Sequence, residues 1–402
     1  MTHVSLSNLR AIVIIIVVAF HSSLAYLIWA PNPTAGFDQI PYSWQAFPIV
    51  DVHRWIVLDV FCAWQDVSLM ALMFLLSGLL TVGSLLRKKT VTYLSDRLWR
   101  IGLPFVLAIV FLSPLSFYPA YLVRTSDPSI IGFWKQWNAL PVWPAGPQWF
   151  LWLLLVFNAM AAVLYSIYPT YVDRLRQLAT WLSERPFRLF TLLVIVSSAA
   201  YVPLALTFSP WDWTALGPFS WQICRPALYL VYFFSGVCLG SIGLDRGCLA
   251  RDGVLARHWA ALLIAALVTF GLWAGFTSLA FPDWNKAAPL VKLGASLAFP
   301  LACTSGGLFL LAFFQRFAAT WRAWTLDSLS ANAYSIYLLH YVFVVWLQFA
   351  FLRVELFAGG KAVVVLTIAL AVSWAISVAF DRLIVAVPFL APKRTLAPRA
   401  RA

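Results

Sequence analysis

The run Arg10-Ala-Ile-Val-Ile-Ile-Ile-Val-Val-Ala-Phe-His21 puts a cation and an imidazole at the two ends of an apolar stretch. In a helix, eleven steps of about 100° total about 1100°, within about 20° of three turns, so both residues share one face about 16 Å apart. Hydrocarbon makes an ionisable side chain costly unless it faces protein or water. A neutral ring at that position suits a general base that removes a proton from a hydroxyl. The other reading of His21 is a packing hydrogen bond to a neighbouring helix, and position alone does not separate the two.

A second imidazole lies in Tyr334-Ser-Ile-Tyr337-Leu-Leu-His340, where Tyr337 and His340 share a face. Counted from Ala331, His340 is about 14 Å in, about the depth of His21, so the two histidines are candidates to line one cavity. Basic side chains cluster in Arg87-Lys-Lys and Asp96-Arg97-Leu-Trp-Arg100. Arg97 and Arg100, three apart at an expected helix start, have the fork geometry and helix-dipole setting that suit a phosphate. With Arg10 they form a candidate site for a phosphorylated ligand, although basic residues at such a corner are also what membrane topology requires. Phe74-Leu-Leu-Ser77-Gly78 precedes that corner, and Pro147-Gln148-Trp149-Phe150-Leu151 opens another apolar run, where Trp149 serves a substrate or an interfacial aromatic belt.

The elements that position these residues are apolar helices. The 402 residues are 62% hydrophobic and 11% charged, against about 25% charged in a soluble domain. Ten runs approach the ~20 residues needed to cross ~30 Å of hydrocarbon: 9–30, 67–87, 101–123, 147–168, 188–208, 225–244, 257–278, 291–315, 331–352 and 361–381. The second is expected to extend outward from Arg54, which places Asp59 and Asp66 at or beyond the outer interface. The fold expected is an all-α polytopic integral membrane protein of about ten transmembrane helices. Residues 1–385 form one domain, followed by a short basic tail over 386–402.

Net charge is +13. In a soluble protein that would suggest nucleic acid or an anionic surface; here the positive-inside rule accounts for it, and no nucleic-acid partner is expected. With the N-terminus inside, 20 of the 28 Lys and Arg fall in inner segments and eight in outer ones, so both termini are expected to be cytoplasmic. The first run carries no small-residue cleavage site and reads as a retained helix rather than a signal peptide. The longest outer segment, 31–66, carries Asp38, Asp51, His53, Asp59 and Asp66 among aromatics. It reads as a lid or acceptor rim, or as an ordinary solvated loop.

Cys62, Cys224, Cys238, Cys248 and Cys303 show no metal-ligand spacing and read as small apolar residues, with a Cys62–Cys224 bridge at the outer side as an open alternative. No Walker A loop, HExxH helix or GxSxG elbow is present, which disfavours ATP-driven transport, metal hydrolysis and a serine-hydrolase mechanism.

Taken in order, these pieces resemble the membrane acyltransferase family 3. The matching features are Arg10 and His21, Phe74-x-x-Ser77-Gly78, Arg97-x-x-Arg100, the Trp-Phe-Leu opening at Trp149, Phe234-x-Gly236, and Tyr337-x-x-His340. Gln148 stands where many members have His, so no histidine role is carried over there. Chain length and Phe20-His21-Ser-Ser-Leu are similar to the branch that succinylates periplasmic glucans.

The resemblance implies O-acyl transfer from cytoplasmic acyl-coenzyme A to a carbohydrate hydroxyl outside a bacterial inner membrane, with no permanently bound cofactor and no metal. It implies His21 as the base or acyl-handling residue and Arg10, Arg97 and Arg100 as phosphate ligands. Ser77 and Gly78 are expected beside the donor, and Trp149, Tyr337 and His340 on the acceptor side. Ser22 and Ser77 are candidates for a covalent acyl-enzyme. A transporter of a small metabolite or acylated sugar is the alternative function, since polar intramembrane residues serve transport too; the paired repeats common in transporters are not seen. A structural subunit of an envelope complex is a third class, in which His21 and Arg10 would tolerate substitution. Nothing in the residues specifies an oligomeric state.

Overall fold

The computed structural model describes residues 4–31, 36–281 and 283–386, without the side chains of Pro186 and 384–386. The expected basic tail lies outside the described residues apart from Ala386. The helices are α1 (Val4–Ser23), α2 (Ile56–Leu79), α3 (Thr81–Leu85), α4 (Thr90–Arg97), α5 (Leu103–Leu107), α6 (Ser113–Arg124), α7 (Ile130–Ala139) and α8 (Trp149–Ile167). There follow α9 (Tyr171–Glu184), α10 (Pro186–Thr207), α11 (Pro226–Gly240), α12 (Val254–Arg257), α13 (Trp259–Ala280), α14 (Pro289–Phe317), α15 (Trp324–Ala350) and α16 (Ala358–Ala386). We call the side at which α1 begins proximal and the opposite side distal.

Among the described residues, nine helical stretches are long and apolar enough to cross a membrane. The sixth expected span is the 15-residue α11, about 22 Å by helical rise and short of the ~30 Å of hydrocarbon. The lateral surface is what a bilayer demands: α13 turns Ile264, Leu267, Val268, Leu272 and Leu279 outward. Contiguous apolar surface of that extent is not left bare to water. The chain is a multi-pass membrane protein.

Three expectations are corrected. The fold is not wholly helical, because a distal hairpin pairs β1 (Trp213–Leu216) with β2 (Phe219–Gln222), Trp213 opposite Gln222 and Leu216 opposite Phe219. Ala-Leu-Gly-Pro cannot continue a helix, and Gly217 at φ +58° supplies the turn. The first helix begins and ends earlier than 9–30, so His21 lies in its last turn rather than halfway along it. The third span starts at Thr90 and runs to Arg124 through two π-helical segments, Leu98–Gly102 and Ala108–Leu112. Arg97 and Arg100 therefore sit inside a continuous helix, and the N-terminal dipole expected beside them is absent.

Helix α1 packs against α15, α16, α14 and α2, and α2 against α11 and α14. The α2–α11 contact explains two of the sequence elements. A Cβ on Gly78 would overlap the Phe233 carbonyl oxygen, one on Gly236 that of Leu75, and one on Gly240 that of Leu79. Small residues four apart let two backbones meet, which in a bilayer substitutes packing for the missing hydrophobic drive. Gly78 and Gly236 are two halves of one contact.

Candidate active site

His21 lies about 26 Å along α1, and His340 about 24 Å along α15, at ~1.5 Å per residue. Both helices start at the proximal side and pack together, so the rings meet at one height. His21 Nδ1 is 3.1 Å from His340 Nε2, with ring centroids 4.9 Å apart. Helix ends leave carbonyls unsatisfied, and here Gln348 Nε2 of α15 donates to His21 O at 2.9 Å and Ser22 O at 3.3 Å. That crosslink fixes the last turn of α1 against α15.

The hydrogen-bond pattern assigns the protons. His340 Nδ1 faces Tyr337 O at 2.7 Å and Ile336 O at 3.2 Å, and a carbonyl only accepts, so Nδ1 carries the hydrogen. In a neutral ring Nε2 is then an acceptor. His21 Nδ1 faces both that acceptor and Val17 O at 2.9 Å, so it too carries its hydrogen. What remains is an unprotonated Nε2 on His21. His340 is fully buried, whereas His21 is half-buried; the ring with the free lone pair is the one a substrate can reach.

Aromatic side chains close the distal side. Tyr341 lies 5.2 Å from the His21 ring, Phe117 5.9 Å from Tyr341, and Trp44 5.2 Å from Phe117. The loop that carries Trp44 is stitched to the end of α1, Asp51 N–H donating to Ala25 O and Trp55 N–H to Tyr26 O. Asp51 and Lys361 are both buried and form an ion pair of 2.7 Å, with His53 at 3.1 Å from the same carboxylate.

The expected site residues fall into separate groups. Tyr337 joins the histidines, its ring 5.8 Å from His340 and its hydroxyl donating to Pro147 O just before α8. Trp149, the first residue of α8, is half-buried between Tyr229 and Trp213 at 6.0 and 5.8 Å. Ser77 donates to Met73 O and Ser22 to Val18 O, each within its own helix. The Arg10 side chain is exposed and makes no hydrogen bond or ion pair among the described residues. Arg97 lies over the Tyr93 ring, and Arg100 is exposed.

Several residues were not anticipated. Tyr341 and Gln348, seven apart and on one face of α15 about 80–100° round from His340, carry no local signal that marks them. Asp66, expected with Asp59 at or beyond the outer interface, has its carboxylate held bidentately by buried Arg225, both contacts 2.6 Å. Asp59 accepts from the Ile28 and Trp29 amides at 3.0 and 3.1 Å. A charged residue on each of two apolar runs is the signal for such a pair. The five cysteines are all buried and free, so Cys62 and Cys224 do not form a bridge. Their sulfurs instead face the carbonyls of Phe20 and Ser209.

No curated protein and no solved structure matches the chain. The family model described as Acyltransferase domain, Acyl_transf_3, matches residues 3–381. With nearly the whole chain covered, the protein belongs to membrane acyltransferase family 3 and is an acyltransferase.

Proposed function

We propose that the protein moves an acyl group from acyl-coenzyme A to a carbohydrate hydroxyl across a bacterial inner membrane, the proximal face being cytoplasmic. The observation that carries this reading is the free Nε2 of His21, held in place by His340. The acceptor hydroxyl gives its proton to that nitrogen as its oxygen attacks the thioester carbonyl. The C–S bond breaks, and the departing sulfur takes up a proton. His340 accepts the Nδ1–H of His21 and steadies the imidazolium formed in the step, the part that an orienting partner plays in other acyl-transfer sites. Ser22 and Ser77 both donate into their own helices, which favours direct transfer over a covalent acyl-serine.

Coenzyme phosphates cannot enter hydrocarbon, so the donor's nucleotide stays proximal while its pantetheine arm reaches inward. Arg10, on the same unbroken helix as His21 and without a protein partner among the described residues, suits that phosphate. Arg97 and Arg100 extend the basic corner, and Ser77 and Gly78 stand nearer the donor side. Trp149 offers its ring as a stacking wall for the sugar, with Tyr337 holding the start of α8. Within the family, the glucan-succinylating branch is the finer reading we favour.

The test is reconstitution in proteoliposomes. Labelled acyl-coenzyme A is supplied on one side and a carbohydrate acceptor on the other, with covalent label on the acceptor expected. Unchanged solute crossing the bilayer without labelled product would overturn the reading. Mass spectrometry of envelope glycans from cells with and without the gene identifies acyl group and acceptor.

A further inference from the structure

At the proximal side α2 runs into α3, α11 ends at Gly240, and α9 packs against α11. Between them lies a groove of about 660 Å³ whose lining includes Gly83, Leu86, Arg176, Ser183, Ser241 and Arg246. It is open for identifiable reasons. A Cβ on Gly83 would meet nothing within 4 Å. The loop after α11 folds back through Gly243 at φ +103° and Gly247 at φ +58°, conformations that L side chains rarely adopt. Ser183 Oγ holds that loop by accepting from Cys248 N–H at 3.1 Å.

The charged side chains that line the groove are basic, with Asp173 pairing Arg176 from outside it and Asp245 beside Gly243. Arg176 donates through Nε to Ser241 O at 3.3 Å and through Nη1 to Asp173 at 3.1 Å, which leaves Nη2 uncommitted. The Arg246 side chain is exposed and makes no hydrogen bond or ion pair among the described residues, although its carbonyl accepts from Leu249 N–H. No carboxylate lines the groove, and neither do Arg10, Arg97 or Arg100. Val82, Leu86 and Ile242 give it an apolar patch, beside the hydroxyl-bearing Thr180.

We infer that this groove is a second anion site, which binds a phosphate ester bearing an apolar portion. Guanidinium groups pair with phosphate oxygens in a fork geometry, and the volume falls in the range of small-molecule sites. The apolar patch takes an acyl chain or an organic arm. That chemistry belongs both to an anionic phospholipid headgroup and to a soluble nucleotide phosphate. The site goes beyond the proposed reaction, because none of its residues belongs to the His21 site or the Arg10 corner.

The experiment measures binding, not transfer. Protein carrying Arg10→Ala, Arg97→Ala and Arg100→Ala, so that the proposed donor corner does not compete for the probe, is titrated in zwitterionic nanodiscs with adenosine 3′,5′-bisphosphate. In parallel, protein from phosphatidylglycerol-containing nanodiscs is analysed by native mass spectrometry for retained lipid. At least one probe is expected to bind, with Arg246→Gln and Gly83→Trp each weakening it about tenfold or more. Arg322→Gln, a basic change outside the groove, leaves it unchanged, and so does His21→Ala. Retained lipid alone identifies the headgroup, bisphosphate alone the soluble ligand, and mutual displacement both. Gly83→Trp points into open space, and Arg246 is an exposed loop residue, so either variant decides if the other misfolds. Failure of both probes to bind, or binding insensitive to the variants, overturns the inference and leaves the acyl-transfer reading untouched.

Discussion

His21 Nδ1 and His340 Nε2 stand 3.1 Å apart although 319 residues separate them in the chain. The contact makes one ring the orienting partner of the other, and the expected kinetics are unequal. His21→Ala removes the base, and transfer falls about 10²- to 10⁴-fold. His340→Ala leaves the base present but held only by Val17 O, and the loss is nearer the about 10² attributed to misplacement of a catalytic group. Rates in proteoliposomes, on variants that elute as the wild type does, check both. Equal, full activity in a well-folded His21→Ala would remove the mechanism.

Arg10 is expected to act on the donor. A hydrogen bond between charged partners contributes about 1.5–3 kcal/mol, so Arg10→Ala should raise the donor KM about 10- to 100-fold without altering the fold. A KM for acyl-coenzyme A equal to that of the wild type would remove Arg10 from the donor site.

The α2–α11 crossing admits no side chain at three glycines. Gly236→Ala pushes a methyl group into the Leu75 carbonyl, and overpacking of this kind costs about 1–3 kcal/mol. Gly271→Ala on α13, where a Cβ meets nothing within 4 Å, is the control and should stay within about 0.5 kcal/mol of the wild type. Thermal unfolding in detergent compares them; equal midpoints would show that the helices separate freely.

Lys361→Met leaves the Asp51 carboxylate buried without its cation. Breaking a buried pair from one side costs about 3–5 kcal/mol, whereas replacing both partners with apolar groups costs far less. Asp51→Leu combined with Lys361→Met should therefore recover part of the stability lost by the single change. A double variant less stable than the single would contradict this account of the pair.

Cys224, in the turn between β2 and α11, carries a thiol pushed up to about 11 by burial, against an opposing effect from Arg225. Because the thiolate is the reactive form, raising the value above the ~8.5 of a free thiol lowers the thiolate fraction at pH 7.5 by more than about two orders of magnitude, which the greater nucleophilicity of a more basic thiolate offsets only in part. Iodoacetamide labelling followed by mass spectrometry should find Cys224 unmodified in the native protein and modified after denaturation, with reactivity rising as the pH is raised toward 11. Rapid native labelling at pH 7.5 would contradict the burial.

Much of the architecture was legible because a bilayer imposes a one-dimensional code. Apolar length alone located nine of the long helices to within a few residues over most of their ends, and helical periodicity alone put Arg10 and His21 on one face of α1. The π-helical segments at 98–102 and 108–112 were not legible, since no residue type announces an extra residue per turn. The sixth span was overestimated at 225–244 because apolar residues continue past Gly240, where the glycine loop turns the chain away.

Pairings between distant helices belong to the tertiary structure. Local sequence states that His21 and His340 are awkward in an apolar setting and need partners, whereas it puts Asp66, Arg225, Asp51 and Lys361 on the outer side, where water would serve. Which partner each one meets depends on helix order, rotation and height in the bundle, all set by contacts such as Gly78 against Phe233. The sequence by itself thus determined a membrane bundle of family 3 with polar groups to be satisfied. Three-dimensional packing decided that His340 satisfies His21 through one nitrogen and leaves the other free.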